Sequence, residues 1–189
     1  MLIAAARWIS VLGHPFVTSL VLVSAVALRL STPGNVLRSL MLVALIAIVP
    51  IALLIRRQVR AGAWTTVDAS DPSERPILFV VGILALAGLV AAAYVARPVS
   101  FLARGAIGVM AMLAVCAIAT QWIKISLHMA FAALAATTLL FLRSPVGWAM
   151  LGALPFLGWS RLALKRHSLH EVVLGALVGA AFGYAIYRL

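Results

Sequence analysis

Apolar residues fall in seven runs, at about 9–30, 36–55, 77–96, 105–123, 126–142, 146–159 and 172–187, with polar residues gathered between them. A helix of about 20 apolar residues crosses the roughly 30 Å hydrocarbon core of a bilayer. The runs approach that length, the sixth being the shortest. Turn residues separate them: Ser31-Thr32-Pro33-Gly34-Asn35, Arg97-Pro98 and Arg143-Ser144-Pro145. Pro50 predicts a kink in the second run, and Pro155 a break in the sixth. The longest polar stretch covers 56–76. The pattern predicts an all-α, polytopic transmembrane helical bundle of about six to seven spans, as a single domain over 1–189. Two spans lie in 1–55, a polar loop in 56–76, and the remaining spans with their site loops in 77–189.

Composition agrees. The chain is 65% hydrophobic and 10% charged, with a mean hydropathy of +1.17, which excludes an ordinary soluble domain. The net charge of +11 does not imply nucleic acid. Its Lys and Arg cap the apolar runs and form no basic surface interleaved with aromatics. A membrane with anionic head groups is the expected partner. The expected location is an integral one, in a bacterial cytoplasmic membrane. Arg7 precedes the first run and no clean small-residue cleavage site follows, so that run reads as a retained span. Cys116, the one cysteine, reads as a small core residue. Trp8, Trp64, Trp122, Trp148 and Trp159 stand near run ends, as an aromatic belt would. Gly175, Gly179 and Gly183 form a small-residue stripe, either for close packing inside the chain or for a homodimer face.

Seven crossings put the polar loop 56–76, the segment at Lys124 to His128 and the segment at Ser160 to Glu171 on one side. All four acidic residues gather there with three of the four histidines, and His14 starts the first run nearby. Charge that is costly in a membrane has been collected at one face. Which face that is stays open, because the basic residues nearly balance once candidate site residues are set aside.

Within that face, Arg161 offers paired donors to a phosphate. His167 and Glu171 are four apart, so on a helical turn the carboxylate can hold the imidazole. His128 starts a run with Ser126 two residues before it as a candidate N-cap, where free backbone N–H groups suit a phosphate. Taken alone, His128 reads as an interfacial histidine; beside the Arg161 to Glu171 cluster it reads as part of a site. His170 points about 100° away from Glu171 on a helix and reads as interfacial.

These residues resemble the type 2 phosphatidic acid phosphatase family, membrane enzymes related to vanadium haloperoxidases. Ser160-Arg161, five residues, His167, three residues and Glu171 match the spacing of the family's third motif, with Glu in place of Asp and with Val172 and Gly175 continuing it. Ile125-Ser126-Leu127-His128 keeps the Ser and His of the second motif, Pro-Ser-Gly-His. Arg75-Pro76 fits the end of the first motif, whose Lys position holds Asp68. The resemblance implies that His167 attacks phosphorus, that Glu171 orients and charge-balances it, and that His128 protonates the leaving oxygen and then activates water. It implies that Arg161, Arg75 and Ser126 bind phosphate oxygens, and that neither metal nor cofactor is needed. Lys124, one helical turn before His128, is a candidate for the missing lysine. Asp68 is expected to point away from the site. Asp68, Asp71 and Glu74 read as solvated charges beside Arg56, Arg57 and Arg60, with a carboxylate-held magnesium the less favoured alternative.

The expected function is hydrolysis of a lipid phosphate (phosphatidic acid, phosphatidylglycerol phosphate or polyprenyl phosphate class) through a phosphohistidine. The alternatives are a lipid-linked phosphotransferase and a non-catalytic protein of the same fold that binds anionic lipid.

Overall fold

A computed structural model describes residues 2–30, 32–69, 71–95 and 100–188, the side chain of Ser100 excepted. The expected turn at Arg97-Pro98, the end of the third run at Ala96, and Ser31 and Ser70 lie outside the described residues. Among the described residues there are nine α-helices and no strand. They are α1 (Leu2–Leu12), α2 (Pro15–Leu30), α3 (Pro33–Leu42), α4 (Val49–Arg60), α5 (Arg75–Val95), α6 (Ser100–Ala119), α7 (Leu127–Phe141), α8 (Pro145–Ala163) and α9 (Leu169–Arg188). The chain is all-helical, as its hydrophobic pattern predicts.

By length and apolarity, Pro33–Arg60, Pro72–Val95, Phe101–Ala119 and Leu169–Arg188 can each cross a membrane, and the pair α1–α2 makes a fifth crossing if counted as one bent span. That is four or five, against the six to seven expected. The shortfall has two causes. The α7 helix has only 15 residues, and α8 dilutes its apolar residues with Trp, Pro, Ser160 and Arg161. Large apolar side chains stay bare on the helix faces, among them Leu37, Leu53, Leu84, Ile118 and Leu177. Water would penalise such surface, and lipid covers it.

Three runs differ in detail from expectation. The first is bent by 46° between α1 and α2. Gly13-His14-Pro15 is the cause: proline has no N–H and drives the preceding residue out of the helical region. In the second run a π-helical segment, Val43–Ile48, joins α3 to α4. Val49 N–H reaches back to Ala44 O, five residues away, so the backbone widens just before Pro50. The α4 helix also continues through Arg60, which shortens the polar loop expected from residue 56. In the sixth run Pro155 does not break α8, which continues to Ala163 and carries Ser160 and Arg161 on its last turn.

The helices form two compact units. One comprises Pro33–Trp122. Within it α5 packs on α6 and on the π-helical segment, and Gly82 and Gly88 let Leu113 and Ile46 approach. Cys116 is buried there in α6.

The other unit comprises Met1–Thr32 and Ile123–Leu189. The α7 helix is its axis, buried on nearly every side by α2, α8 and α9. Lipid is as apolar as leucine, so close contact rather than the hydrophobic effect must hold helices together here. The stripe on α9 provides it. A Cβ on Gly175 would lie 2.6 Å from Ser126 O, and one on Gly183 2.6 Å from Leu134 O. A Cβ on Gly179 would overlap Ala130 O. The three glycines therefore face carbonyls spaced four residues apart along α7 and its N-cap Ser126, and the stripe is covered within the chain. Of its two readings, internal packing is the one realised. Met129, Ala132, Leu157 and Val172 close the core beside it.

Candidate active site at one end of the second unit

The α8 helix ends in a turn that sets the position of His167. Lys165 adopts a left-handed conformation (φ 53°). Arg166 N–H then donates to Arg161 O at 3.1 Å and Lys165 N–H to Leu162 O at 2.9 Å, the paired bonds that close a helix C-terminus. Two residues later Ser168 starts α9. Its hydroxyl accepts from Glu171 N–H (3.4 Å), and its own N–H donates to Glu171 Oε2 (3.1 Å), a capping box. Glu171 thus sits in the first turn of α9, where the helix dipole favours an anion.

The same carboxylate oxygen lies 2.8 Å from His167 Nδ1. A carboxylate can only accept, so Nδ1 carries the hydrogen and Nε2 is the nitrogen left for chemistry. The His167 side chain is 4% exposed and that of Glu171 17%. The expected pairing of the two is therefore present, and Glu171 also caps the helix that presents it.

The segment before α7 is tied directly to this pair. Ser126 N–H donates to Glu171 O at 3.1 Å. Ser126 occupies the N-cap position of α7 in an extended conformation, yet its hydroxyl makes no capping bond. It is fully buried and has no hydrogen-bond partner among the described residues. Ser126 is thus an N-cap by position only, and its hydroxyl is left for something else. His128 lies in the first turn of α7 with its Nε2 buried. Its ring meets the ring of His14 edge-on, with centroids 5.2 Å apart and planes at 86°.

Arg161 is 1% exposed on the last turn of α8, and its Nη1 donates to Ser10 Oγ at 2.5 Å. A guanidinium taken out of water is costly unless it serves paired or anionic groups. Ser160, also buried, turns its hydroxyl back to Leu157 O at 2.8 Å and acts within its own helix. One unit therefore holds Ser126, His128, Arg161, His167 and Glu171, with Lys124 in the loop just before α7. Chemically this is a buried cation, an unspent hydroxyl at a helix N-terminus and a carboxylate-held imidazole, joined to a second imidazole by short stretches of chain.

Arg75 belongs to the other unit. It opens α5, is buried, and its Nε donates to Ala69 O at 3.4 Å. The acidic residues around it are not simple solvated charges. Asp71 accepts from Ser73 N–H at 2.8 Å and caps a short 3-10 turn. Glu74 is buried and accepts from Thr65 N–H at 2.9 Å and Asp71 N–H at 3.3 Å. Trp64 is buried rather than part of an exposed belt.

Two residues of the site end were missed in the sequence: Ser10 and His14, both in the first apolar run. Nothing local marks Ser10, which reaches Arg161 across 151 positions. His14 carries a signal, the breaker Gly13-His14-Pro15, which by itself marks only the head of a span. Compared with models of known protein families, with characterised proteins and with solved structures, the chain finds no match.

Proposed function

We propose that the chain is a membrane phosphatase that hydrolyses a lipid phosphomonoester or diphosphate through a phosphohistidine. One observation carries the reading: His167 Nδ1 bound to Glu171 at 2.8 Å, on a segment hydrogen-bonded to the Ser126 loop. The motif spacing shared with type 2 phosphatidic acid phosphatases supports it. His167 Nε2 attacks phosphorus and the bond from phosphorus to the lipid oxygen breaks, while His128 gives that oxygen a proton. Water then attacks the phosphohistidine, His128 takes its proton, the N–P bond breaks and phosphate leaves. Glu171 stabilises the charge that develops on His167, and Arg161, Ser126 and Lys124 hold the phosphate oxygens. In this reading α8 and the protein-clad α7 complete the six or seven spans, and the substrate head group meets the site at the interface.

The test is phosphate release from a panel of detergent-dispersed phosphatidic acid, phosphatidylglycerol phosphate and polyprenyl phosphates, with a short pulse of labelled substrate. Wild type should release phosphate and carry acid-labile, base-stable label. His167→Ala should do neither, and an active His167→Ala protein refutes the mechanism. Label passed to an added alcohol instead of water would make the chain a phosphotransferase.

A further inference from the structure

The bend between α1 and α2 reaches the candidate site and has no part in the scheme above. Ser10, near the end of α1, and His14, at the break, are four positions apart on it. Ser10 Oγ accepts from Arg161 Nη1 at 2.5 Å, and both side chains are buried. His14 is held by its own helix start. Pro15 has no N–H, and Phe16 N–H donates to His14 Nδ1 at 3.2 Å. With that lone pair engaged, the neutral ring carries its hydrogen on Nε2. The ring lies edge-on to Phe16, with centroids 4.6 Å apart, and edge-on to His128. One ring nitrogen of His14 lies within 4.8 Å of one of His128.

We propose that this bend is part of the catalytic apparatus, with His14 the positioning residue for His128 and Ser10 the positioning residue for Arg161. The inference rests on the phosphatase reading. A general acid that later becomes a general base must present the same nitrogen to the leaving oxygen and then to water. A ring braced edge-on against a second, backbone-fixed ring keeps that aim. Loss of the brace lowers the rate of both steps and leaves ground-state binding alone. Arg161 differs, because a phosphate clamp acts in the bound substrate as well as in the transition state. A loosened Arg161 therefore weakens binding first.

His14→Asn separates the brace from the bend, because an Asn oxygen can still accept Phe16 N–H as an N-cap. The full-length protein in detergent micelles is assayed with phosphatidic acid, and thermal unfolding checks each variant. His14→Asn should lower kcat by about 10- to 100-fold, leave KM within about twofold, and slow decay of the labelled phosphoenzyme. Added to His128→Ala it should cost nothing further, since the group it positions is gone. Ser10→Ala should raise KM about three- to tenfold with little change in kcat. A wild-type kcat in His14→Asn, or a full His14→Asn loss persisting in the His128→Ala background, overturns the role of His14. An unchanged KM in Ser10→Ala overturns that of Ser10. If wild type and His167→Ala release phosphate equally, the phosphatase reading itself has failed. Nitrogen-15 spectra of labelled histidines then decide the contact alone: His128 ring signals unmoved by His14→Asn remove the brace.

Discussion

Replacing Glu171 with Gln isolates the charge of the carboxylate from its shape. One oxygen, Oε2, takes both His167 Nδ1 at 2.8 Å and Ser168 N–H at 3.1 Å. Gln keeps a single acceptor oxygen of similar reach, so most of the cap survives. The helix start should lose about 0.5–1 kcal/mol, which is about 1–4 °C in unfolding temperature for a chain of this size. Catalysis should lose far more. An imidazole that becomes cationic at phosphorus needs a full negative charge on its other nitrogen, and an amide in that place can also hold the wrong tautomer. Loss of such a carboxylate costs ~10³–10⁴-fold in turnover where a histidine depends on it. Ser168→Ala is the matching control: it removes the other half of the capping box, should cost about 1 kcal/mol, and should leave turnover within about threefold. Glu171→Asp keeps the charge with one methylene less, and should keep most of the activity while loosening one of the two bonds. Phosphate release and thermal unfolding measured on the same preparations decide the matter. A Glu171→Gln enzyme within tenfold of wild type would make Glu171 a helix cap and nothing more.

Gly179→Ala should destabilise the protein by about 1–3 kcal/mol, because its Cβ meets Ala130 O; Gly34→Ala, with open space around it, should be near neutral in the same unfolding experiment. Glu74→Ala should cost about 1–3 kcal/mol, since Thr65 N–H and Asp71 N–H lose their acceptor. Limited proteolysis within 61–71 reads the loosened loop, and cleavage at the wild-type rate would refute that role. Arg29→Ala removes the guanidinium that binds Leu142 O and, at 3.0 Å, Arg143 O at the end of α7; about 1 kcal/mol should be lost, with turnover unchanged because that end carries none of the candidate site residues.

All seven apolar runs became helices because an apolar backbone must satisfy its own hydrogen bonds, and a helix does so locally. Boundaries differ from the pattern where the effect of a breaker depends on its surroundings. Pro155 leaves α8 continuous, while Gly13-His14-Pro15 redirects the chain because three unfavourable residues coincide. Asp71 to Glu74 and Ser168 to Glu171 both carry the spacing of a capping box. Each is legible, but the same acidic residues also fit solvated charges or a histidine partner. The pairing of His167 with Glu171 could be read because it is local. The contacts of Ser10 with Arg161 and of His14 with His128 could not, because they join segments more than 100 positions apart and no pattern in the chain encodes which helices meet.

Packing and chemistry meet in the contact between α7 and α9. A glycine Cα hydrogen stands where each forbidden Cβ would be, so Gly175, Gly179 and Gly183 aim hydrogens at the carbonyls of Ser126, Ala130 and Leu134. Such contacts are worth about 0.5–1 kcal/mol each, and their greater effect is on register. Both sets step by four residues, so a slip of one position along α9 would drive a side chain into a carbonyl at every step. The register is fixed again at the site end, where Ser126 N–H binds Glu171 O. His128, two residues after Ser126, and His167, four before Glu171, therefore inherit their placement from backbone contacts instead of from flexible side chains. In the proposed mechanism the phosphoryl group goes from lipid to His167 and then to water while His128 moves the protons, and this needs that constancy, because small misplacements of reacting groups cost large factors in rate. The glycine stripe supplies it without spending a polar side chain in the membrane.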